Sequence, residues 1–320
     1  MTGRLRVGIV GIGFGQQVHL PIFRAHPQCE VAGLCASTYA RAAAAAAQHK
    51  VPHAFGSWPA LIDSADIDVV SVAAPPVLQP EIIRAALAKG KPVFCEKPVG
   101  CSAGPVAELA ELAQQRRLPN MVDLEFPEIP AWQRAQAILS SGALGQVRHV
   151  VVAWNVETYA NKLGLESWKT RAEDGGGVLP AFVSHSFYYL EWLLGPIARL
   201  SARLSRAPGD TRSAETLGVL GLEFASGCMA SLTVSSHAFL GNGHRLEFYG
   251  DHGAMILENL AADYARGFTL RCGTRGMGGL ETVPVADFPD GVDGRIAAVT
   301  PLAARFVDWC LTGRPAAPTL

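Results

Sequence analysis

The run Leu5-Arg6-Val7-Gly8-Ile9-Val10, followed by Gly11-Ile12-Gly13-Phe14-Gly15, constrains this chain more than any other feature. A short strand pattern ends in a glycine turn, a helical stretch runs from Gln16 to Ala25, and a second strand pattern spans Cys29 to Cys35. Strand, turn, helix and strand make a βαβ unit, which requires a right-handed crossover and a parallel sheet. The first glycine permits the tight turn, and the second lets backbone approach a pyrophosphate. The helix that follows offers amide donors and the positive end of its dipole. The third glycine of the dinucleotide fingerprint would fall at Gln16, with Gly15 one position early. A lone Gly-x-Gly is equally an ordinary tight turn; the flanking strand and helix favour a cofactor. Gly11, Gly13, Phe14, Gly15 and Gln16 are therefore candidate cofactor contacts.

Alternation continues beyond this unit. An alanine-rich helix is predicted over 41–49, since alanine has the highest helix propensity. Strands are predicted over 69–73, 92–95 and 120–126, with helices over 80–89 and 105–115 between them. Then the pattern changes. A long strand is predicted over 146–159, a hairpin joins 215–224 to 227–236, and another pair joins 244–249 to 254–258. Successive strands with short turns predict a mostly antiparallel sheet. The expected organisation is an α/β Rossmann domain over 1–120 and an α+β domain over 121–320. A chain of 320 residues has length enough for both.

Composition narrows the function classes. With 27 Lys and Arg against 28 Asp and Glu, the net charge of -1 gives no electrostatic reason to bind nucleic acid or an anionic membrane. None of the seven cysteines forms a Cys-x-x-Cys pair, and their odd number argues for reduced thiols and against a disulfide framework or zinc site. No leader pattern precedes the first strand, and no apolar stretch reaches membrane-spanning length. The expectation is a soluble cytoplasmic protein with no metal.

Chemistry concentrates at strand ends. Ala74-Pro75-Pro76 follows the strand at Val69, and Glu96-Lys97-Pro98 follows the strand at Val93. Both lie at carboxyl ends of parallel strands, where open α/β sheets bind ligands. A strand-end lysine is ordinarily a solvated charge. Here Pro98 keeps Lys97 out of helix, and an amine beside a positive nicotinamide ring and partly shielded from water suits proton transfer. After the second strand, Ala36-Ser37-Thr38 lacks the Asp or Glu that accepts from a ribose in NAD-preferring sites. Ser37, Thr38 and Arg41 would accommodate a 2′-phosphate, which favours NADP over NAD; the plainer reading is a helix cap and a surface arginine. Gly175-Gly176-Gly177 lets backbone come close to a ligand or another chain, and His185 follows near the start of a helix. A single histidine on such a helix is more often structural, but the glycine turn ahead of it shifts the balance. His237, His244 and His252 share no metal spacing and read as surface or interface residues.

These motifs, with His19 after the Gly11 turn and Gly90-Lys91-Pro92 leading into Glu96-Lys97-Pro98, resemble the Gfo/Idh/MocA family of oxidoreductases. They occur in order over nearly the whole chain. The resemblance implies a Rossmann domain, a C-terminal domain with a large open sheet, and homodimers or homotetramers paired through that sheet. It also implies that Lys97 binds substrate and assists proton transfer, and that His185 contacts the reacting hydroxyl. The chain departs from the pattern at Ala181, where an aspartate is common, so that an Asp–His partnership is expected to be missing. Gln79 stands where histidine is frequent after the prolines, with an amide able to donate to cofactor. The chain also stops soon after Pro315, where relatives often continue into a further helix.

Glu96 joins the candidate cofactor contacts, and Glu125, Tyr159, Trp168 and Lys169 join Lys97 and His185 as candidate substrate contacts. Trp154, Asn155 and Arg171 fall in the same stretches; Trp154 and Tyr159 equally suit sheet-face packing. The expected activity is hydride transfer between a nicotinamide and a secondary alcohol or ketone of a sugar, polyol or related cyclic compound. Two alternatives stand: a non-catalytic cofactor-binding regulator on the same fold, and a C=C or C=N reductase.

Overall fold

The computed structural model describes residues 3–320. The chain forms two compact units: residues up to Leu124 together with Arg295–Leu320, and Glu125–Gly294. The Rossmann unit and the mostly antiparallel second sheet expected from the sequence are both present. The sequence pattern places the boundary at 120 with everything beyond it in the second unit; by packing, the last 26 residues (295–320) belong to the first.

In the first unit, β1 (Leu5–Val10), β2 (Cys29–Cys35), β3 (His53–Phe55), β4 (Val69–Val72), β5 (Val93–Glu96) and β6 (Asn120–Asp123) form a sheet in the order β3-β2-β1-β4-β5-β6. Every neighbouring pair is parallel. Strand order reverses between β1 and β4, and the crevice beyond the carboxyl ends of such strands is where this sheet type binds ligands. Strands covered on both faces must be apolar on both, and β4 is buried at all four positions. The helix Tyr39–His49 turns its small residues Ala42, Ala45 and Ala46 inward.

The helix Gly294–Thr312 was not read from the sequence. Val299, Leu302, Ala303, Phe306 and Val307 repeat at helical spacing and are buried with Leu5, Val7, Phe23 and Phe94 of the first unit. Its Phe306 ring sits 5.7 Å from Phe94. The segment after it finishes the sheet edge: Val122 donates its amide to the Pro318 carbonyl, and Leu320 donates to the Asn120 side chain.

In the second unit, β7 (Val147–Asn155), β8 (Ile197–Ser205), β9 (Leu217–Phe224), β10 (Met229–Ser235), β11 (Gly243–Gly250), β12 (Gly253–Asn259), β13 (Thr269–Thr274) and β14 (Glu281–Val283) form one sheet, ordered β14-β13-β12-β11-β7-β10-β9-β8. Only β7 and β10 are parallel within it. Both expected hairpins occur with the expected pairing. Alternation sorts the two faces. Register places Leu232, Val152, Leu246 and Leu257 in one buried row, and Val234, Trp154, His244 and Asn259 in the next. Helices Pro130–Ser140 and Ser184–Leu194 bring Trp132 and Tyr189, both fully buried, into the same core with ring centroids 4.6 Å apart. Among the described residues, no helix is long and apolar enough to cross a membrane.

Because Phe306 has no exposed surface and fills the core of the first unit, Phe306→Ala should cost about 3–5 kcal/mol of unfolding free energy. Urea denaturation measures it, and a loss below about 1 kcal/mol would mean that the helix is not part of that core.

Candidate functional site

The glycine turn shows a different task for each glycine. Gly11 has φ +103, and a Cβ there would lie 2.3 Å from the Ala73 carbonyl oxygen, so the approach of β1 to the end of β4 demands glycine. A Cβ at Gly13 would meet nothing within 4 Å. That glycine is not required by packing, and it leaves backbone open to a ligand. A Cβ at Gly15 would lie 2.9 Å from Ile9 and 3.2 Å from Ala73, so Gly15 performs the helix–strand packing of the third fingerprint glycine. A π-helical turn, Gly15–His19, follows, in which Leu20 donates to the Gly15 carbonyl. The residues present therefore fit a dinucleotide. Gln16, a candidate contact, instead turns its amide to His49 at 2.7 Å. Phe14 is half-buried, and Arg295, which the sequence did not single out, lies 6.0 Å from its ring and donates to Gln17.

At the end of β2, Ser37, Thr38 and Arg41 are exposed. Arg41 donates to Ser37 Oγ at 3.0 Å, and Thr38 Oγ1 accepts the Arg41 amide as N-cap of its helix. The cap reading thus holds for Thr38, while Ser37 and Arg41 form an exposed polar pair with no carboxylate hydrogen-bonded to it among the described residues.

Beyond β4 and β5 the candidates converge. Leu78 and Gln79 both donate their amides to the Pro75 carbonyl, which turns Ala74-Pro75-Pro76 into the helix Gln79–Ala88. Gln79 is 1% exposed and directs its side-chain nitrogen at the carbonyls of Glu96 (3.0 Å) and Pro98 (2.8 Å). Both amide hydrogens are thereby committed, which corrects the expectation that Gln79 donates to cofactor. Lys97 is half-buried, and the Lys97–Pro98 bond is cis. The Glu96 carboxylate, another expected cofactor contact, turns inward to His19 Nε2 at 3.0 Å.

His19 is fully buried. Its Nδ1 lies 2.8 Å from Ser71 Oγ, and its Nε2 faces Glu96 and Asp123, the latter at 3.5 Å. Desolvation works against a charged imidazole, but hydrogen bonds and attraction from Asp123 and Glu96 outweigh it and raise the pKa to about 9. The ligand atoms of these three residues lie within 4.8 Å of one another, and the imidazolium itself supplies the positive charge they surround.

In the second unit, the triple glycine serves chain packing. A Cβ at Gly176 would lie 2.4 Å from the Trp168 carbonyl oxygen, and one at Gly177, where φ is +116, would lie 2.3 Å from the Glu215 carboxylate. That carboxylate accepts the Leu179 amide at 2.9 Å. The π-helical turn Leu179–Val183 follows and runs into the helix that carries His185. His185 and Glu125 are both buried, with Nδ1 and Oε2 3.8 Å apart. Position 181 offers no carboxylate, as the sequence states; Glu125, beside the 3-10 turn Phe126–Glu128, brings one near the imidazole at a separation beyond hydrogen-bond reach. Tyr159 is 73% exposed, Trp168 is half-buried, and the exposed Lys169 lays its ammonium 5.7 Å from the Trp168 ring centre. Trp154 is a packing residue, stacked on His244 at 4.0 Å.

His244 is a second correction, being 3% exposed and not a surface group. Ser186 donates to the Phe182 carbonyl and so accepts from Tyr189, whose oxygen accepts from His244 Nε2. This order leaves a neutral imidazole, and desolvation lowers its pKa to about 3.

The family comparison agrees with this layout. The oxidoreductase-family pattern with an NAD-binding Rossmann fold matches residues 5–124, and the Gfo/Idh/MocA C-terminal domain matches residues 132–256. The chain belongs to the Gfo/Idh/MocA family of oxidoreductases. An uncharacterized oxidoreductase of Synechocystis sp. is 34% identical over 332 residues, covering 99% of this chain and 89% of that protein. A levoglucosan dehydrogenase of Pseudarthrobacter phenanthrenivorans is 24% identical, covering 79% and 73%. Among solved structures, a levoglucosan dehydrogenase in complex with NADH and levoglucosan shares the fold at TM-score 0.87 and 21% identity, covering 99% of this chain and 92% of that one.

The two buried histidines predict opposite pH limbs. The folded pKa of His19 is raised, so its contribution is complete below about pH 6.5 and fades as pH rises towards 9, a loss of about 3 kcal/mol. The folded pKa of His244 is lowered, so protonation of the unfolded chain destabilises the protein below pH 6.5, by about 1.4 kcal/mol per pH unit down to about pH 3. Denaturation across pH should show His19→Gln flattening the alkaline limb alone and His244→Phe the acid limb alone. An unchanged alkaline slope in His19→Gln would remove the imidazolium assignment.

Proposed function

We propose that this oxidoreductase transfers hydride between a nicotinamide, NADP in preference to NAD, and a secondary alcohol or ketone of a sugar, polyol or related cyclic compound. The observation that carries the reading is Lys97, held half-buried at the carboxyl end of β5 in the same sheet whose β1–β4 reversal carries the open Gly13 backbone. When bound, the nicotinamide supplies the hydride chemistry. Lys97 exchanges the proton of the reacting hydroxyl as the carbon–oxygen bond order changes. His185 orients that oxygen, with the Glu125 carboxylate 3.8 Å from its Nδ1. Gly11, Gly13 and Gly15 shape the cofactor turn, Phe14 and Arg295 border it, and Ser37 with Arg41 receives the 2′-phosphate. Trp168, Lys169 and Tyr159 belong to the substrate side.

The same reading includes a homodimer or homotetramer. Register places Met229, His149 and Tyr249 in one row on the outer face of the second sheet, with Val219 on the same face, and Met229 and Val219 are each half exposed. Levoglucosan dehydrogenase, a fold neighbour solved with NADH and levoglucosan, supports the substrate class.

Assay of a panel of sugars and polyols with NADP should yield turnover. Lys97→Met should lower kcat by about 10³-fold while cofactor affinity is kept; near-normal turnover in that variant would take the lysine out of the chemistry. No turnover across the panel, with firm NADPH binding, would favour the regulator. For the cofactor, Arg41→Ala should weaken NADPH about tenfold and leave NADH unchanged. Titration measures both, and tighter binding of NADH than NADPH by the unaltered protein would overturn the preference.

A further inference from the structure

We infer that Gln79 is a positioning residue for Lys97, fixing the lysine's peptide through the two carbonyls that flank it. The inference rests on the reading of Lys97 as the proton-transfer group. One planar NH2 group offers two hydrogens, and here they go to the residue before the lysine and the residue after it, at 3.0 and 2.8 Å. The peptide is gripped on both sides of Lys97 from a single nitrogen, which leaves its backbone little room to pivot. Gln79 is itself pinned, because its own amide and that of Leu78 end on the Pro75 carbonyl. The loops after β4 and β5 are thus coupled through one side chain.

The orientation of the amide supports this reading. Among the described residues, Gln79 Oε1 is buried with no hydrogen-bond partner. A flipped amide would point its oxygen at two carbonyl oxygens, so the paired acceptors decide the orientation although the remaining oxygen goes unsatisfied. A buried acceptor left without a partner is destabilising, and such costs are tolerated where geometry matters to function. A second hold acts independently on the neighbouring residue: the Glu96 side chain is held by His19, which Ser71 and Asp123 hold in turn. Both act on the mounting of Lys97.

Gln79→Met keeps the length and removes both donors, whereas Gln79→His presents at most one N–H from a given nitrogen. Both are to be compared with the unaltered full-length protein for kcat, KM, NADPH affinity and amide hydrogen exchange across residues 96–99. Misplacing a reacting group by an ångström costs on the order of 10²-fold, so Gln79→Met should lose about that in kcat, with KM and NADPH affinity near normal. Gln79→His should fall between, and exchange in 96–99 should quicken in both. Faster exchange with normal kcat would make the grip merely structural and overturn the inference, as would no change in either. If Gln79→Met does not fold, Gln79→His decides by the same readouts. Lys97→Met separates the two levels: if it turns over normally, the reading of Lys97 fails, whereas an inactive Lys97→Met beside normal Gln79 variants sinks the positioning role alone.

Discussion

A charged imidazole with no exposed surface lies at the junction of four elements, and the ligand edge of the first unit depends on it. His19 belongs to the π-helical turn behind the glycines, Ser71 to β4, Glu96 to β5 and Asp123 to β6. Burying one charge alone is prohibitive, and two carboxylates with a hydroxyl make it tolerable. His244 is a useful contrast. It is nearly as deeply buried, but its surroundings are a tyrosine hydroxyl and an indole face, so it stays neutral. Partners, not depth, set the charge of a buried histidine here.

Much of the architecture was legible because it is periodic. The β1 and β2 boundaries, the two hairpins and the parallel-to-antiparallel change all follow from local alternation and glycine punctuation. The helix from Gly294 carries an equally regular stripe, but its partners Leu5, Val7 and Phe94 lie some two hundred residues or more earlier, and no local pattern states which unit a stripe will cover. Candidate site residues divide in the same way. Lys97 and His185 are marked by their neighbours in sequence. What holds them is not: the grip of Gln79 on the 96–98 peptide and the approach of Glu125 to His185 arise only when separate segments meet. The packing role of Gly15, one place off the fingerprint, and the π-helical turn it opens are likewise not revealed by residue spacing alone.

At Ala181 the chain has no carboxylate on the His185 helix turn, but one from another segment lies near the His185 ring. Glu125 approaches its Nδ1 to 3.8 Å from the start of the second unit, with Phe126 edge-on to the same imidazole ring at 5.0 Å. Trp154, His244 and Tyr189 belong to the same ring cluster around Phe126 and tie the helix to the sheet through stacking and an ordered chain of hydroxyls.

The meeting of Gly177 with Glu215 bears on how such a chain can diversify. A side chain at 177 requires a smaller one at 215, and a smaller one at 215 gives up the carboxylate that receives the Leu179 amide. The segment 168–177 is further tied to its neighbour by bonds from Ala214 to the Thr170 carbonyl and from Ala172 to Ser213. These two loops are therefore a matched pair, not interchangeable cassettes. Transplanting either one alone from a relative would disturb the entry to the His185 helix, so a graft must carry both.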